Sequence, residues 1–387
     1  MSYKVLYIGN WKDGGGWSTA AQNAILAMDS VGIDVVPRHV TSSDTSHRQQ
    51  EIPERLLELE QKRATGCDIC IQHLLPHMME YDGHFKLNIG RFDYETSNFN
   101  HTYWARHLNT MDHIFVSNPY MQEVCKNSNV TTPTSVIPHC FDISKYSQYY
   151  KDYEIPALKD QFVFYTIGEV IRRKNLAGLI KAFHLEFRPY EPVTLLIKGH
   201  MMGLSPAETN EKIKKLIEEI KRGLRLYPNI TDYHNEVIIT QWMKDEEILR
   251  LHKTCDCFVS ASYGEAWNIP GFEAMAMGKP VILNNEGGPK YYIENLKSGL
   301  LLRNVTEEVF MPPSEIPVDG IWTGDESWHK PSVQHLRQLM RKIYQDEEIR
   351  CLLGNHGIDR AYDFSYNIVG NLINNTLQKL LDITNER

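Results

Sequence analysis

The chain has 387 residues, of which 42% are hydrophobic and 23% are charged, with a formal net charge of −8 at pH 7. A chain of this length exceeds what one hydrophobic core serves, so we expect a soluble enzyme of two ordinary-sized domains. The acidic balance argues against a general nucleic-acid binder, which would carry a basic face.

The start of the chain and the cysteines favour a cytoplasmic protein. The first nine residues are typical of a strand and lack the apolar core of a signal peptide. No run approaches the ~18 apolar residues of a membrane span, although peripheral membrane contact stays open. Seven cysteines, scattered through predicted strands, are typical of reduced thiols. Cys67 and Cys70 lack a second pair at zinc spacing, so we expect core thiols and no metal site.

Short apolar runs alternate with helical patterns through residues 1–155, which predicts a Rossmann-like α/β domain. The predicted strands are 3–9, 31–40, 68–72, 87–90, 113–117 and one from Ser135, and the predicted helices are 18–28 with Ser18 as its cap, 50–64 and 119–126.

Four residues in this first half are candidate site residues. Gly15 and Gly16 lie between the first strand and helix, where glycine amides can approach phosphate, although the spacing is not Gly-x-Gly-x-x-Gly and a flexible turn is the plain alternative. His73 ends the third strand, a place where histidines are more often structural than catalytic. Glu95 follows the fourth strand and is either a loop acid paired with Arg91 or a contact to an acceptor.

A polar, tyrosine-rich stretch over 144–160 is predicted to link this half to a second α/β domain over 156–364. Its predicted strands are 162–168, 193–198, 236–240, 255–260 and 279–283, and its predicted helices start at Leu176, Ser205, Asp245 and Asn268. The first strand runs into Arg172-Arg173-Lys174, which is either a solvated cluster or a group of cations placed to neutralise a diphosphate.

Two acids lie on the last strand-loop-helix unit. Glu265 is in a loop at the carboxyl end of a strand and Glu273 is about one turn into the next helix, facing the same crevice. The small loop residues and the helix start offer amides to phosphate, whereas carboxylates accept hydrogen bonds and suit hydroxyl groups. A nucleotide-sugar satisfies both demands. The plain alternative is a solvated loop acid and an acid that complements the helix dipole.

The whole block decides between these readings. Glu265 to Glu273, then the Ala-Met-Ala-x-Gly-x-Pro-Val run over 274–281 and Gly287-Gly288, resemble the signature of family 4 of the retaining nucleotide-sugar glycosyltransferases. The resemblance is strong in the second half and weak in the first. It implies the GT-B fold, in which two Rossmann-like domains with parallel sheets face an interdomain cleft, and in which a helix, here 365–387, crosses back to the first domain.

The resemblance also implies roles for individual residues. It makes Glu265, Lys174 and His73 catalytic, places the diphosphate on Gly15, Gly16, Lys174 and Arg173, and places the ribose on Glu273 and the sugar hydroxyls on Glu265. Further donor contacts are implied at the nucleobase loop and the loop after Glu265, namely Trp242, Met243, Ala266, Trp267, Asn268 and Ile269. Glu95 falls on the acceptor side.

Three positions depart from the family pattern. Cys140 replaces a glycine, Tyr291 replaces a frequent acid after the Gly-Gly pair, and Glu169 replaces an arginine that contacts phosphate, a role that Arg173 or Arg172 would then take. Residues 304–334, with Pro312, Pro313, Pro317, Trp322 and Trp328, are expected to form a long irregular insertion that serves an acceptor or partner. Helices are predicted over 332–344, 346–362 and 365–381.

The implied function is metal-independent, retaining transfer of a sugar from a nucleoside-diphosphate sugar, with UDP or GDP as the expected nucleotide and no separate cofactor. The acceptor is a glycan, a lipid-linked molecule or a protein. A nucleotide-sugar epimerase of the same fold is an alternative, but no acid and base pair poised at a sugar is evident. A non-catalytic paralogue that binds a glycan or a partner is another, favoured by Glu169 and the tryptophan-rich insertion.

Overall fold

The computed structural model describes residues 3–41, 51–310 and 322–386. The chain divides into two compact units. Unit 1 holds the described residues within 1–145, 320–326 and 362–387, and unit 2 holds those within 146–319 and 327–361. The first of these boundaries lies upstream of the predicted one after residue 155, and the last lies close to the predicted one after residue 364.

The strands are short and mostly buried, as the apolar runs predict. They are β1 Lys4–Gly9, β2 Asp34–His39, β3 Ile69–His73, β4 Leu87–Arg91, β5 His113–Val116, β6 Thr134–Val136, β7 Phe162–Glu169, β8 Val193–His200, β9 Val237–Ile239, β10 Cys257–Val259, β11 Val281–Asn284, β12 Leu300–Leu302, β13 Asn304–Glu308 and β14 Ser327–Pro331.

The helices lie between the strands and at the end of the chain. They are α1 Gly16–Ser30, α2 Glu54–Glu60, α3 Trp104–Leu108, α4 Pro119–Asn127, α5 Ile143–Tyr146, α6 Leu176–Glu186, α7 Pro206–Leu224, α8 Asp245–Thr254, α9 Ile269–Ala276, α10 Gly287–Tyr292, α11 Val333–Gln345, α12 Glu347–Ala361 and α13 Tyr366–Asn385.

Each unit contains one six-stranded sheet whose neighbouring strands are all parallel. The order is β2-β1-β3-β4-β5-β6 in unit 1 and β12-β11-β10-β7-β8-β9 in unit 2. Both orders reverse direction once, between β1 and β3 and between β7 and β10. In open parallel sheets, the carboxyl ends of the strands on either side of such a reversal border a crevice that holds ligands. The prediction of two Rossmann-like α/β halves is confirmed.

Helices cover the faces of each sheet and close its core. In unit 1, α13 packs on α1 so closely that a Cβ on Gly370 would lie 2.4 Å from the carbonyl oxygen of Ala27, and Ile373 and Leu377 join the buried cluster beneath the sheet. In unit 2, the cluster is built from β7 and β8 with α6, α7 and α11. Residues 365–387, predicted as a terminal helix, therefore belong to unit 1 over their described part.

Three predictions about local structure are wrong. Ser18 does not cap α1, because the helix starts earlier with Gly15 as its N-cap residue, and the buried Ser18 hydroxyl instead donates to Asn10. The helix predicted over 50–64 is limited to Glu54–Glu60, and Leu57 is 42% exposed rather than part of an apolar face.

The third correction concerns residues 304–334, which were expected to be irregular. Strands β13 and β14 form an antiparallel two-stranded sheet in this region, with Glu307 opposite Trp328. Pro312, Pro313 and Pro317 lie outside the described residues. The expected insertion thus starts and ends with regular structure.

Candidate functional site

Lys174 and Glu265, ninety-one positions apart, meet at the reversal point of the unit 2 sheet. Lys174 ends a short 3₁₀ turn after β7, and Glu265 lies in the loop after the neighbouring strand β10. The Lys174 ammonium lies 2.8 Å from each carboxylate oxygen of Glu265. The amide of Tyr263 also donates to the carbonyl of Arg173 at 2.8 Å, so the two loops are joined by their backbones as well.

Arg173 completes a cluster of two cations around one carboxylate. Its Nη1 donates to the carbonyl oxygen of Gly264 at 2.7 Å and lies 3.4 Å from Glu265 Oε2. Glu265 is only 6% exposed. Burial alone would raise the pKa of Glu265, but Lys174 and Arg173 hold it below its ordinary value, so the carboxylate is ionised at neutral pH. The cluster carries one surplus positive charge.

Two glycines fix the backbone behind this carboxylate. A Cβ on Gly287, whose φ is +61°, would lie 2.0 Å from the carbonyl oxygen of Glu265. A Cβ on Gly288 would lie 2.4 Å from the Cα of Trp267 and 2.5 Å from the carbonyl oxygen of Ala266. Only glycine permits this approach. The Gly-Gly element of the motif therefore has a physical reason, which is to let the loop after β11 support the loop that carries Glu265.

A cavity opens beside the cluster at the carboxyl ends of β7, β8 and β10. Its polar and charged lining consists of Thr166, Glu169, Lys174, Lys198, Ser260, Glu265 and Asn268. Gly168 and Ala261, which have no or a small side chain, also line it. Lys198 was not predicted as a site residue. The signal that would have found it is a single charged residue in the otherwise apolar run Leu195-Leu196-Ile197.

Glu273 has contacts with residues that do not line this cavity. One of its oxygens accepts a hydrogen bond from the Tyr146 hydroxyl at 3.3 Å, and the other lies 3.8 Å from His252 Nε2. Lys174 and Glu265 line the cavity together, whereas Glu273 does not. The shared crevice expected for the two glutamates of the motif stays a prediction.

The loop from Ala266 to Ile269 leads directly into α9. Asn268 adopts a left-handed conformation with φ +68°, and its Oδ1 accepts from the amide of Gly271 at 3.1 Å, so it caps the helix as its sequence position predicts. Asn268 also lines the cavity. Trp267 is 3% exposed and packs against the rings of Tyr291 and Tyr292, so its side chain serves the core.

The predicted nucleobase loop follows β9. Trp242 is 40% exposed, whereas Met243 is 6% exposed. Of these two side chains, the tryptophan ring is the one accessible to a ligand, and Met243 could contact a ligand through its backbone. Arg172, one of the two suggested replacements for the missing arginine at position 169, is exposed and lies over the ring of Phe310 at 4.7 Å.

Three candidates of unit 1, namely Gly15, Gly16 and His73, follow or end the two strands at the reversal point of its sheet. Gly15 and Gly16 are exposed at the N-terminus of α1, directly after β1. His73 ends β3 and is 1% exposed, with its Nδ1 2.7 Å from the Tyr7 hydroxyl and its ring beside Trp17. Burial lowers the pKa of His73 to about 4, so the ring is neutral at pH 7.

Asp93 organises the polar interior next to His73 and was not predicted. Its carboxylate lies 3.1 Å from His139 Nε2, accepts from the Ser117 hydroxyl at 2.8 Å and lies 3.8 Å from His73 Nε2. Burial alone would raise the pKa of Asp93, but the nearby His139 holds it well below its ordinary value. The signal in the sequence was an acid directly after a buried strand. Glu95, two residues later, is half-buried.

Asn284 ties the β13–β14 hairpin to the Glu265 loop. Its side-chain amide donates to the carbonyl oxygens of Ser262 and His329 at 2.9 and 2.8 Å, and its Oδ1 accepts from Asn304 at 2.8 Å. Trp328 also stacks on Tyr263, with ring centroids 4.4 Å apart. The hairpin therefore supports the loop that leads to Glu265.

None of the helices within 3–41, 51–310 and 322–386 is both long enough and apolar enough to cross a membrane. In the same ranges, no group of three or more His, Cys, Asp and Glu side chains is arranged to hold a metal ion.

Comparison with known proteins gives distant sequence relatives. Residues 151–310 match the family model described as glycosyl transferases group 1. The serotype-specific mannosyltransferase WbdA of Escherichia coli is 25% identical over 289 residues, which is 71% of this chain and 30% of the relative. Human alpha-1,3/1,6-mannosyltransferase ALG2 is 25% identical over 45% of this chain and 38% of its own length. The chain spans well under two thirds of the length of these relatives.

Solved structures match over nearly the whole chain. Sucrose-phosphate synthase from Thermosynechococcus elongatus superposes with a TM-score of 0.66 at 16% identity, covering 98% of this chain and 100% of that one. HepE from Anabaena, in complex with UDP-glucose, gives a TM-score of 0.62 at 14% identity, covering 97% and 99%. The chain therefore has the GT-B glycosyltransferase fold, and the match to the group 1 family model lies in residues 151–310.

Proposed function

We propose that this protein is a retaining glycosyltransferase of family 4 that moves a sugar from a nucleoside-diphosphate sugar, with UDP or GDP as the nucleotide, to a carbohydrate, lipid-linked or protein acceptor. The observation that carries the proposal is the buried cluster of Lys174, Arg173 and Glu265 at the reversal point of the unit 2 sheet. Ligands of open parallel sheets bind at such points.

The cluster suits a ligand that is anionic at one end and rich in hydroxyls at the other. Lys174 is 27% exposed at its side chain, whereas Glu265 is 5% exposed, so the cation is the more accessible partner. If a donor diphosphate lay beside Lys174, the ammonium group of Lys174 would interact with both the diphosphate and Glu265. The Glu265 oxygens can only accept hydrogen bonds, and they would then accept hydrogen bonds from the sugar hydroxyls.

Arg173 has a separate part in this exchange. Because its Nη1 is held by the carbonyl of Gly264 and lies beside Glu265, it keeps a positive charge next to the carboxylate when Lys174 also contacts phosphate. Glu265 thus stays ionised while the donor is bound. Glu273 on the ribose, Trp242 and Met243 at the base, and the backbone of 266–269 complete the proposed donor site.

The proposed chemistry needs charge stabilisation on the departing nucleotide. Fixed cations that are already oriented stabilise such charge without reorganisation, which is the role assigned to Lys174 and Arg173 in a reaction that does not require a metal. For retention, the departing phosphate oxygen would accept the proton of the attacking hydroxyl on the same face of the sugar. His73 is proposed as a catalytic residue that reaches the donor sugar or the acceptor, Glu95 as a residue of the acceptor side, and Gly15 and Gly16 as phosphate contacts.

Named relatives support a nucleotide-sugar donor. The description of WbdA is that of a mannosyltransferase, and HepE was crystallised with UDP-glucose. The choice between UDP and GDP is therefore one for experiment, with hexoses as the first sugars to examine.

The test is a donor screen followed by product analysis. Purified protein would be incubated with UDP- and GDP-hexoses, with and without EDTA and candidate acceptors, and release of nucleoside diphosphate and anomeric configuration would be measured by coupled assay and NMR. We expect release that depends on donor identity, persists in EDTA and gives a product with the anomeric configuration of the donor. An isomerised donor would favour the epimerase, and no release with any donor or acceptor would overturn the proposal.

A further inference from the structure

We propose that Lys198 is a second cationic contact to the donor diphosphate, supplied from strand β8, where the family resemblance leads one to expect an arginine at position 169. This inference rests on the proposed function, because it assigns a further residue to the same donor site. It adds a residue that the motif does not contain and explains how the site functions with an acid at position 169.

The position of Lys198 places it in the donor cavity. In the β7–β8 register, Lys198 lies beside Ile167, and Glu169 lies beside His200 two steps further along. Lys198, Glu169 and Lys174 line the same cavity. Lys198 therefore reaches from the next strand towards the space into which a side chain at position 169 would project.

Lys198 is a buried charge that lacks a counter-ion. It is 7% exposed, and within the described ranges no hydrogen bond or ion pair involves its ammonium group. Of the two carboxylates that line the cavity, Glu265 is already held by Lys174 and Arg173. Burial lowers the pKa of Lys198 to about 8, with no neighbouring charge to restore it. Buried charges are normally paired, so this arrangement indicates that the partner is a ligand.

The chemistry of the cavity favours phosphate as this partner. Lys174, which lines the same cavity, is also a cation, so an anion in the cavity would be attracted by both lysines. Lysine binds phosphate as a point charge and needs no defined fork geometry, so it can act from a different strand than the expected arginine. Sugar hydroxyls, by contrast, would leave the charge of Lys198 without compensation.

The test compares Lys198→Met with Lys215→Met, which removes one charge from an exposed position of α7. Calorimetry would give the affinities of UDP, GDP, uridine, guanosine and a UDP-hexuronate. We expect Lys198→Met to weaken binding of the nucleoside diphosphate by roughly ten-fold or more, because a charge-assisted hydrogen bond is lost. Affinity for the nucleoside should be unchanged, and Lys215→Met should bind like wild type.

A melting curve without ligand shows that the variant is folded. Lys198→Met keeps the length of the aliphatic stem and removes a buried unpaired charge, so it should melt no lower than wild type at pH 7. A melting point that falls while nucleoside and nucleoside diphosphate affinities drop equally would assign Lys198 a structural role and overturn the inference.

Other outcomes separate this inference from the function on which it rests. Equal diphosphate affinity in wild type and Lys198→Met would overturn the Lys198 contact and leave the glycosyltransferase proposal standing. A loss confined to the UDP-hexuronate would overturn the diphosphate assignment in favour of a sugar carboxylate. Absence of nucleoside diphosphate binding in wild type would remove both proposals.

Discussion

The main-chain amide of Gly288 donates a hydrogen bond to the carbonyl oxygen of Glu265 over 3.2 Å. Behind the carboxylate of the candidate site, two loops are therefore in direct backbone contact, and the adjacent Gly287 has no room for a Cβ. The position of Glu265 depends on this contact as much as on the ion pair in front of it.

The first prediction is that Gly288→Ala destabilises unit 2 and impairs donor binding. The added methyl group would collide with the backbone of Ala266 and Trp267, which cannot move without displacing the Glu265 loop. We expect a loss of about 1–3 kcal/mol in the free energy of unfolding, measured by urea denaturation. Gly223→Ala in α7 is the control, since a Cβ there meets nothing within 4 Å. Equal stability of Gly288→Ala and wild type would contradict the tight contact.

The second prediction concerns the ion pair itself. Lys174→Ala and Glu265→Ala should each reduce kcat/KM for the proposed transfer by about 100-fold or more while the protein stays folded, because each removes a group that is proposed to contact the reacting donor. Lys181→Ala, an exposed lysine of α6, is the matched control. Steady-state kinetics and far-UV circular dichroism are the measurements, and turnover at the wild-type rate in either site variant would remove its proposed role.

The third prediction separates Glu273 from Glu265. Because Glu273 is proposed on the ribose and does not line the cavity of the ion pair, Glu273→Ala should raise the dissociation constant for the nucleoside diphosphate by about ten-fold, the value of one hydrogen bond to a charged group. Its kcat should change much less. Glu246→Ala, an exposed acid of α8, is the control. A variant in which kcat collapses and nucleotide affinity is retained would place Glu273 at the reacting centre.

The fourth prediction is a pH dependence of nucleotide binding. The pKa of Lys198 is lowered from 10.5 to about 8, so between these values the unfolded chain binds more protons and this residue's contribution to stability rises with pH. A bound phosphate favours the charged form, so nucleoside diphosphate affinity should fall as the pH rises through 8. Glu169, Lys174 and Glu265 also line the cavity. Isothermal titration in parallel with Lys198→Met isolates the lysine, and an identical decline in both proteins would assign it to another group.

The fifth prediction concerns the polar interior of unit 1. Asp93→Asn leaves His139 and Ser117 beside a neutral amide in place of a carboxylate, which should lower the free energy of unfolding at pH 7 by about 1–3 kcal/mol. Because the pKa of Asp93 lies well below its ordinary value in the fold, this contribution is present above the ordinary value and is lost only as the pH falls through the lowered one. The urea midpoints of wild type and Asp93→Asn should therefore differ at pH 7 and approach each other in acid. A difference that stays constant with pH would contradict this role of Asp93.

Much of the fold was predictable because its strands are buried on both faces. Runs such as Phe162–Glu169 and Val193–His200 are apolar and bounded by polar turns, which is the pattern of parallel strands. The strand Leu300–Leu302 was not predicted, because three residues are too few to show a hydrophobic period. The hairpin of β13 and β14 was not predicted either, because β13 is mostly exposed and lacks an apolar face. The six-residue helix α10 begins with Gly-Gly-Pro, which is more typical of a turn.

The sequence indicated those candidate site residues that belong to the motif. It did not indicate residues that only the packing of the fold brings close to them. The convergence of Lys174 and Glu265 follows from a strand order that places β7 next to β10, and the sequence predicted that both face one ligand. Their direct pairing without a ligand was not foreseen. Lys198 and Asp93 each had a signal in the sequence, a charge at the end of an apolar run, but that signal does not show which groups surround the charge.

The hydrogen bonds of Asn284 restrict how this protein can be re-engineered. Its one amide joins the end of β11, the loop before Glu265 and strand β14, and its oxygen holds Asn304 at the start of β13. A chimaera that receives the corresponding hairpin of another protein of this fold would leave these groups without hydrogen-bond partners unless Asn284 and the residues that contact it were transferred together. Exchange of that segment is therefore a change to the donor loop as well, and libraries should vary the two as a single cassette.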